Sequence, residues 1–141
     1  MNEAFVGTWK LMDYSFIQED GSVQKPWGSD VVGYLIYSAE GYMSGNLSPA
    51  GRTRSHHAPQ DTAVSRPRRF RDYIAYSGAF TVNSTEQVTH HVEVSLFPNW
   101  IGMPQVRYYK MKDDELLLST PPTPSEHGLV VVQLTWKRVR G

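Results

Sequence analysis

An all-β fold is the architecture this sequence predicts, and three observations predict it. Apolar and polar residues alternate with a period of two along most of the chain, the pattern of strands with one buried face. Val, Ile, Thr, Tyr, Phe and Trp fill the alternating segments. Short polar connections separate them, and helical periodicity is scarce. Taken in order, the expected strands cover residues 7 to 17, 31 to 38, 41 to 48, 72 to 82, 87 to 97, 105 to 112, 115 to 120 and 129 to 139. The breaks "QEDGS", "SAEG", "VNSTE" and "MKDDE" have the length and residue types that join antiparallel neighbours in a meander. Two interruptions are longer: 48 to 71, with Pro49, Gly51, Pro59 and Pro67, and 120 to 128, with Pro121, Pro122 and Pro124. Proline lacks the N–H that a sheet ladder needs, so both are expected outside the sheet. About eight antiparallel strands make a sandwich or a closed barrel, whose interior holds side chains or one small ligand.

Composition narrows the function classes. A chain of 141 residues that is 40% hydrophobic can bury a core, which predicts one domain spanning residues 1–141. Its formal net charge is zero, so no general field attracts nucleic acid or an anionic membrane, and neither partner is expected. The absence of cysteine removes disulfides, thiolate nucleophiles and zinc–thiolate sites together. "MNEAFVGTWK" has no basic run followed by an apolar core, and no segment approaches the roughly 18 apolar residues of a membrane span. A cytoplasmic protein, monomer or homodimer, is the expectation.

Alternation also sorts the strand faces. In 88 to 97 the apolar face is Val88, His90, Val92, Val94 and Leu96, and the other is Thr89, His91, Glu93, Ser95 and Phe97. In 72 to 82 the inner set is Ile74, Tyr76, Gly78, Phe80 and Val82; in the last strand it is Val130, Val132, Leu134 and Trp136. His90 and Tyr76 are therefore candidate interior polar groups, while His91 and Glu93 look outward as a solvated pair of little energetic weight. Adjacent strand residues diverge, so His90 and His91 do not converge on one metal ion, and no metal site is expected.

The blocks "GTWKL", "GYLIYSAEGYMS", "FRDYIAYSGAF", "THHVEVSLFPNWIG", "LLLSTPP" and "LTW" together resemble the bacterial and fungal lipocalin-like domain family over nearly the whole chain. The resemblance implies a single antiparallel up-and-down β-barrel around an apolar ligand cavity. It also implies that Trp9 of the Gly7-Thr8-Trp9 opening closes one barrel end against a basic residue of the last strand, Arg138 or Lys137. Some related small barrels in secondary-metabolite pathways act as cyclases or isomerases, but fold alone does not assign chemistry. Between 50 and 69 an Arg- and Pro-containing segment stands where the family has a short helix.

The candidate site residues follow from chemical type and position. His90 is the candidate general acid or base, with Tyr76 and Tyr109 as hydrogen-bond donors. Tyr14, Tyr34, Met43, Phe80, Trp100, Met103 and Tyr108 are candidate ligand contacts, aromatic or soft apolar groups suited to a cavity wall. Trp100 and Met103 sit in the Pro-bounded "FPNWIGMPQ", a plausible lip. Arg107 and Arg71 are candidate anion anchors; Arg71 ends a cationic run with Arg52, Arg54, Arg66, Arg68 and Arg69. His56 and His57 read as exposed loop residues. No nucleophile elbow, phosphate loop or zinc signature is present. The sequence leans towards a cofactor-independent cyclase or isomerase acting on a small hydrophobic molecule; the alternative is a non-catalytic carrier or sensor of such a molecule.

Overall fold

The computed structural model describes residues 2–51, 72–126 and 128–140. Eight antiparallel strands close into a barrel: β1 (Gly7–Gln18), β3 (Val31–Tyr37), β4 (Tyr42–Pro49), β5 (Ile74–Val82), β6 (Gln87–Ser95), β7 (Pro104–Lys112), β8 (Glu115–Ser119) and β10 (Gly128–Arg138). Each pairs with its neighbour, and β1 pairs with β10 to complete the ring. Two short strands escaped the periodicity. β2 (Val23–Gln24) extends the first hairpin, and β9 (Thr123–Ser125) pairs with β10 inside the Pro-rich interruption. Pro124 is tolerated there because β9 is an edge strand with a single partner. No helix among the described residues is long and apolar enough to cross a membrane.

Two β-bulges re-aim side chains that simple alternation misplaces. In β1 the register runs from Leu11 opposite Trp136 to Asp13 opposite Thr135, so Met12 is an extra residue. Trp9 and Leu11 before it, and Tyr14 after it, are consequently all buried. In β6 the register jumps from Val92 opposite Gly78 to Val94 opposite Ser77, with Glu93 extra. This corrects the predicted inner face: Val94 is 60% exposed, because the bulge reverses the parity. The backbones approach so closely that a Cβ on Gly78 would stand 1.8 Å from the His91 carbonyl oxygen. Glu93 does not pair with His91. Its carboxylate accepts the Ala79 N–H at 3.0 Å, and His91 Nε2 lies 3.0 Å from Thr81 Oγ1 on the outer face.

One end of the barrel is closed by its own first residues. Trp9 is fully buried and donates its indole N–H to the Phe5 carbonyl at 2.9 Å. The Arg138 guanidinium lies 4.2 Å over the Trp9 ring and donates to the Val6 and Ala4 carbonyls, so Arg138, and not Lys137, is the basic partner. Cation–π attraction and charge-assisted hydrogen bonds thus hold the N-terminal segment down. Phe5 enters the barrel and packs against Tyr37, Phe80 and Tyr109, with ring centroids 4.8 to 6.2 Å apart. This aromatic plug is the floor on which the candidate site rests.

Candidate functional site

A cavity of about 700 Å³ lies in the lumen, within the size range of small-molecule sites. All eight barrel strands contribute to its wall, which is mostly apolar: Leu35, Met43, Leu47, Ile74, Leu118, Val132, Leu134 and Trp136. Phe97 and Trp100 enter from the connection after β6, where a 3-10 helix (Pro98–Trp100) follows the strand. Their rings meet edge to face, and Trp100 meets Tyr76 the same way. On another side Tyr14 lines the cavity with Trp27 stacked on its ring at 4.2 Å. The Lys25–Asp13 ion pair, 2.8 Å, fastens the segment that carries Trp27 to β1.

The polar centre is a chain of three groups. His90 is 1% exposed; its Nε2 lies 2.7 Å from the Tyr37 hydroxyl and its Nδ1 2.7 Å from the Tyr76 hydroxyl. Burial, helped by the nearby positive charges of Arg107 and then His91, lowers the His90 pKa to about 3, so the imidazole is neutral at pH 7. Burial likewise raises the Tyr76 and Tyr37 pKa values, with Arg107 opposing. A neutral imidazole carries one N–H and one acceptor nitrogen. Tyr37 is 1% exposed and, among the described residues, has His90 as its hydroxyl's sole partner; were it to accept from Nε2–H, its own O–H would be buried and unsatisfied. Donor and acceptor counting therefore assigns Tyr37 as donor to Nε2 and Nδ1–H as donor to Tyr76. The Tyr76 hydroxyl hydrogen is left to point at whatever occupies the lumen.

Arg107 joins the same wall. It donates to its neighbour's carbonyl, Val106, and to Gln105 Oε1, both at 2.9 Å. Among the described residues no carboxylate lines the cavity or pairs with Arg107. Trp136, also in the wall, is 2% exposed and buries its indole N–H without a hydrogen-bond partner among the described residues.

The residues proposed from sequence divide cleanly. His90, Tyr76, Tyr14, Met43, Trp100 and Arg107 line the cavity together. Tyr109 and Phe80 point inward but belong to the plug; Phe80 packs on Tyr37 at 4.7 Å, and the Tyr109 hydroxyl donates to the Ser84 carbonyl. Tyr34 and Tyr108, each 46% exposed, and Met103, 54% exposed, do not line the cavity. Tyr34 and Tyr108 sit at the parity opposite to Leu35 and Arg107, and Met103 follows the turn that ends the 3-10 helix. Arg71, with the rest of the cationic run and His56 and His57, lies outside the described residues. The sequence offers Tyr37 only as one of its many aromatic residues suited to a cavity wall and does not single it out as a site residue, although it shares a face with Gly33 and Leu35. Gln105, two residues from Arg107, was overlooked in the same way.

Comparison with known proteins now bears on this barrel. The description of a lipocalin-like domain family matches residues 6–139. The chain belongs to this family. A curated relative is the 4'-hydroxy-3'-methoxypropiophenone carrier protein ppsC of Aspergillus oryzae, to which this lipocalin-like protein is 44% identical over 82 residues, 49% of this chain and 69% of the relative. Family membership and the carrier relative support small-molecule binding, and the lumen is where this protein has room for it.

Proposed function

We propose that this lipocalin-like protein is a carrier that encloses a small, largely apolar molecule in its barrel and orients it through a hydrogen bond from Tyr76. The observation that carries the reading is the Tyr37–His90–Tyr76 chain at the bottom of an apolar cavity. With His90 neutral and both tyrosines weaker acids than usual, the chain is suited to fix the direction of a hydrogen bond and poorly suited to transfer protons at pH 7. An aryl ketone of the kind the relative is named for has the matching form, a flat apolar body with a carbonyl acceptor. The reading needs no cofactor, and a cytoplasmic place for the protein is proposed on the strength of its cysteine-free sequence.

A second reading, a cofactor-independent cyclase or isomerase, is favoured by one feature. Tyr76 and Arg107 line one desolvated lumen, where they would stabilise an oxygen that gains negative charge during a rearrangement. Titration with 4'-hydroxy-3'-methoxypropiophenone, followed by quenching of tryptophan fluorescence, tests the carrier reading. One molecule per barrel is expected to bind, and Tyr76→Phe is expected to weaken binding about 3- to 10-fold. Recovery of the ligand unchanged after prolonged incubation supports carriage; a new product formed at a rate that depends on Tyr76 supports the second reading. Absence of binding overturns both.

A further inference from the structure

The hydrogen-bonding groups of the lumen are lopsided. Tyr76 has its hydroxyl hydrogen unused, as derived above. Arg107 uses one N–H on the Val106 carbonyl and one on Gln105, which leaves three of the five donors of a guanidinium. Gln105, whose Oε1 is occupied by Arg107, keeps both amide hydrogens. Thr120 accepts from the Val132 N–H and retains its hydroxyl hydrogen. Against this surplus, the side-chain acceptors left over are neutral hydroxyl oxygens, that of Tyr14 in the wall and that of Thr123 at the exposed rim, the latter with its hydrogen already on the Pro121 carbonyl. No aspartate or glutamate lines the cavity among the described residues.

We infer that the cavity takes its ligand as an oxyanion, an apolar molecule bearing a carboxylate, phenolate or comparable acidic oxygen held by Arg107 together with Tyr76. The inference rests on the carrier reading and adds to it the ionisation state of the cargo. Arg107 without a carboxylate partner in an apolar lumen is a charge awaiting compensation. A planar guanidinium with three N–H groups to offer matches an anionic oxygen better than a neutral carbonyl. The same charge disfavours cationic ligands, so discrimination by charge comes with the site.

Two fluorescent probes with one skeleton separate the possibilities: N-phenyl-1-naphthylamine, which is uncharged, and 1-anilinonaphthalene-8-sulfonate, which adds an oxyanion. Both are titrated into the wild-type protein and Arg107→Met. The expected result is that Arg107→Met weakens the sulfonate about 10- to 100-fold, the range of a charge-assisted hydrogen bond, and leaves the uncharged probe within about 2-fold. Retained binding of the uncharged probe also shows that the variant folds. If both probes bind and the sulfonate is indifferent to Arg107→Met, the inference is overturned while the carrier reading stands. If neither probe binds the wild type, the carrier reading falls and the inference falls with it.

Discussion

His90→Ala is expected to lose roughly 3 to 5 kcal/mol of unfolding free energy at pH 7, measured by urea denaturation. Two terms add. Removing a 1%-exposed ring leaves a hole beside the aromatic plug. It also strands the Tyr37 hydroxyl, which has no other partner among the described residues, at about 1 to 3 kcal/mol for a buried unsatisfied group. Tyr37→Phe introduced into the same variant should recover part of the loss, because the stranded hydroxyl is then absent. The effect also depends on pH. The folded-state pKa of about 3 lies below the ordinary value of 6.5, so between these values the unfolded chain binds a proton that the folded barrel refuses. Stability from this group is complete above pH 6.5 and falls as the pH drops towards 3, by about 1.4 kcal/mol per pH unit. The difference between wild type and His90→Ala should therefore shrink steadily from pH 7 to pH 4.5. A difference that stays constant over that range would show that His90 is not held neutral.

Gly78→Ala is expected to cost at least about 3 kcal/mol, or to prevent folding outright. The added Cβ would meet the His91 carbonyl oxygen at 1.8 Å and the Glu93 nitrogen at 3.1 Å. Both are backbone atoms of the bulge, and neither can step aside as a flexible side-chain end would. Relieving the clash means undoing the bulge, which would turn Val94 inward and Phe97, a cavity-lining residue, outward. Gly45→Ala is the matched control, on the neighbouring strand and in the cavity wall. Its Cβ would meet Leu35 Cδ1 at 3.4 Å, so stability should change by less than about 1 kcal/mol. A soluble Gly78→Ala protein as stable as Gly45→Ala would contradict the bulge as described.

These two sites mark how far the residues could be read without coordinates. The eight barrel strands were legible, within two residues at their ends, because each buries one face and leaves a period-two trace. His90 and Tyr76 were legible as a pair because both are polar groups on otherwise apolar faces. The bulges were not: an extra residue leaves no mark in composition, and Glu93 looked like a surface partner for His91 when its carboxylate caps a backbone N–H. Tyr37 was hidden for a different reason. Both faces of β3 are apolar, Val32, Tyr34 and Ile36 on one and Leu35 and Tyr37 on the other, so alternation there cannot say which is inside. Phe80 and Tyr109 show a third limit. They point inward as their strands predict, yet depth along the barrel depends on strand stagger and on Phe5 entering from a distant part of the chain.

If the lumen beside His90 is a ligand site in which Tyr76 provides a directed hydrogen bond, a crystal structure of the protein with 4'-hydroxy-3'-methoxypropiophenone will show it. One molecule is expected inside the barrel, in contact with Met43, Trp100 and Leu134, with an oxygen within hydrogen-bond distance of the Tyr76 hydroxyl and the Tyr37–His90–Tyr76 chain intact. A ligand seated on the outer face, or a lumen that stays empty at saturating ligand, would contradict it.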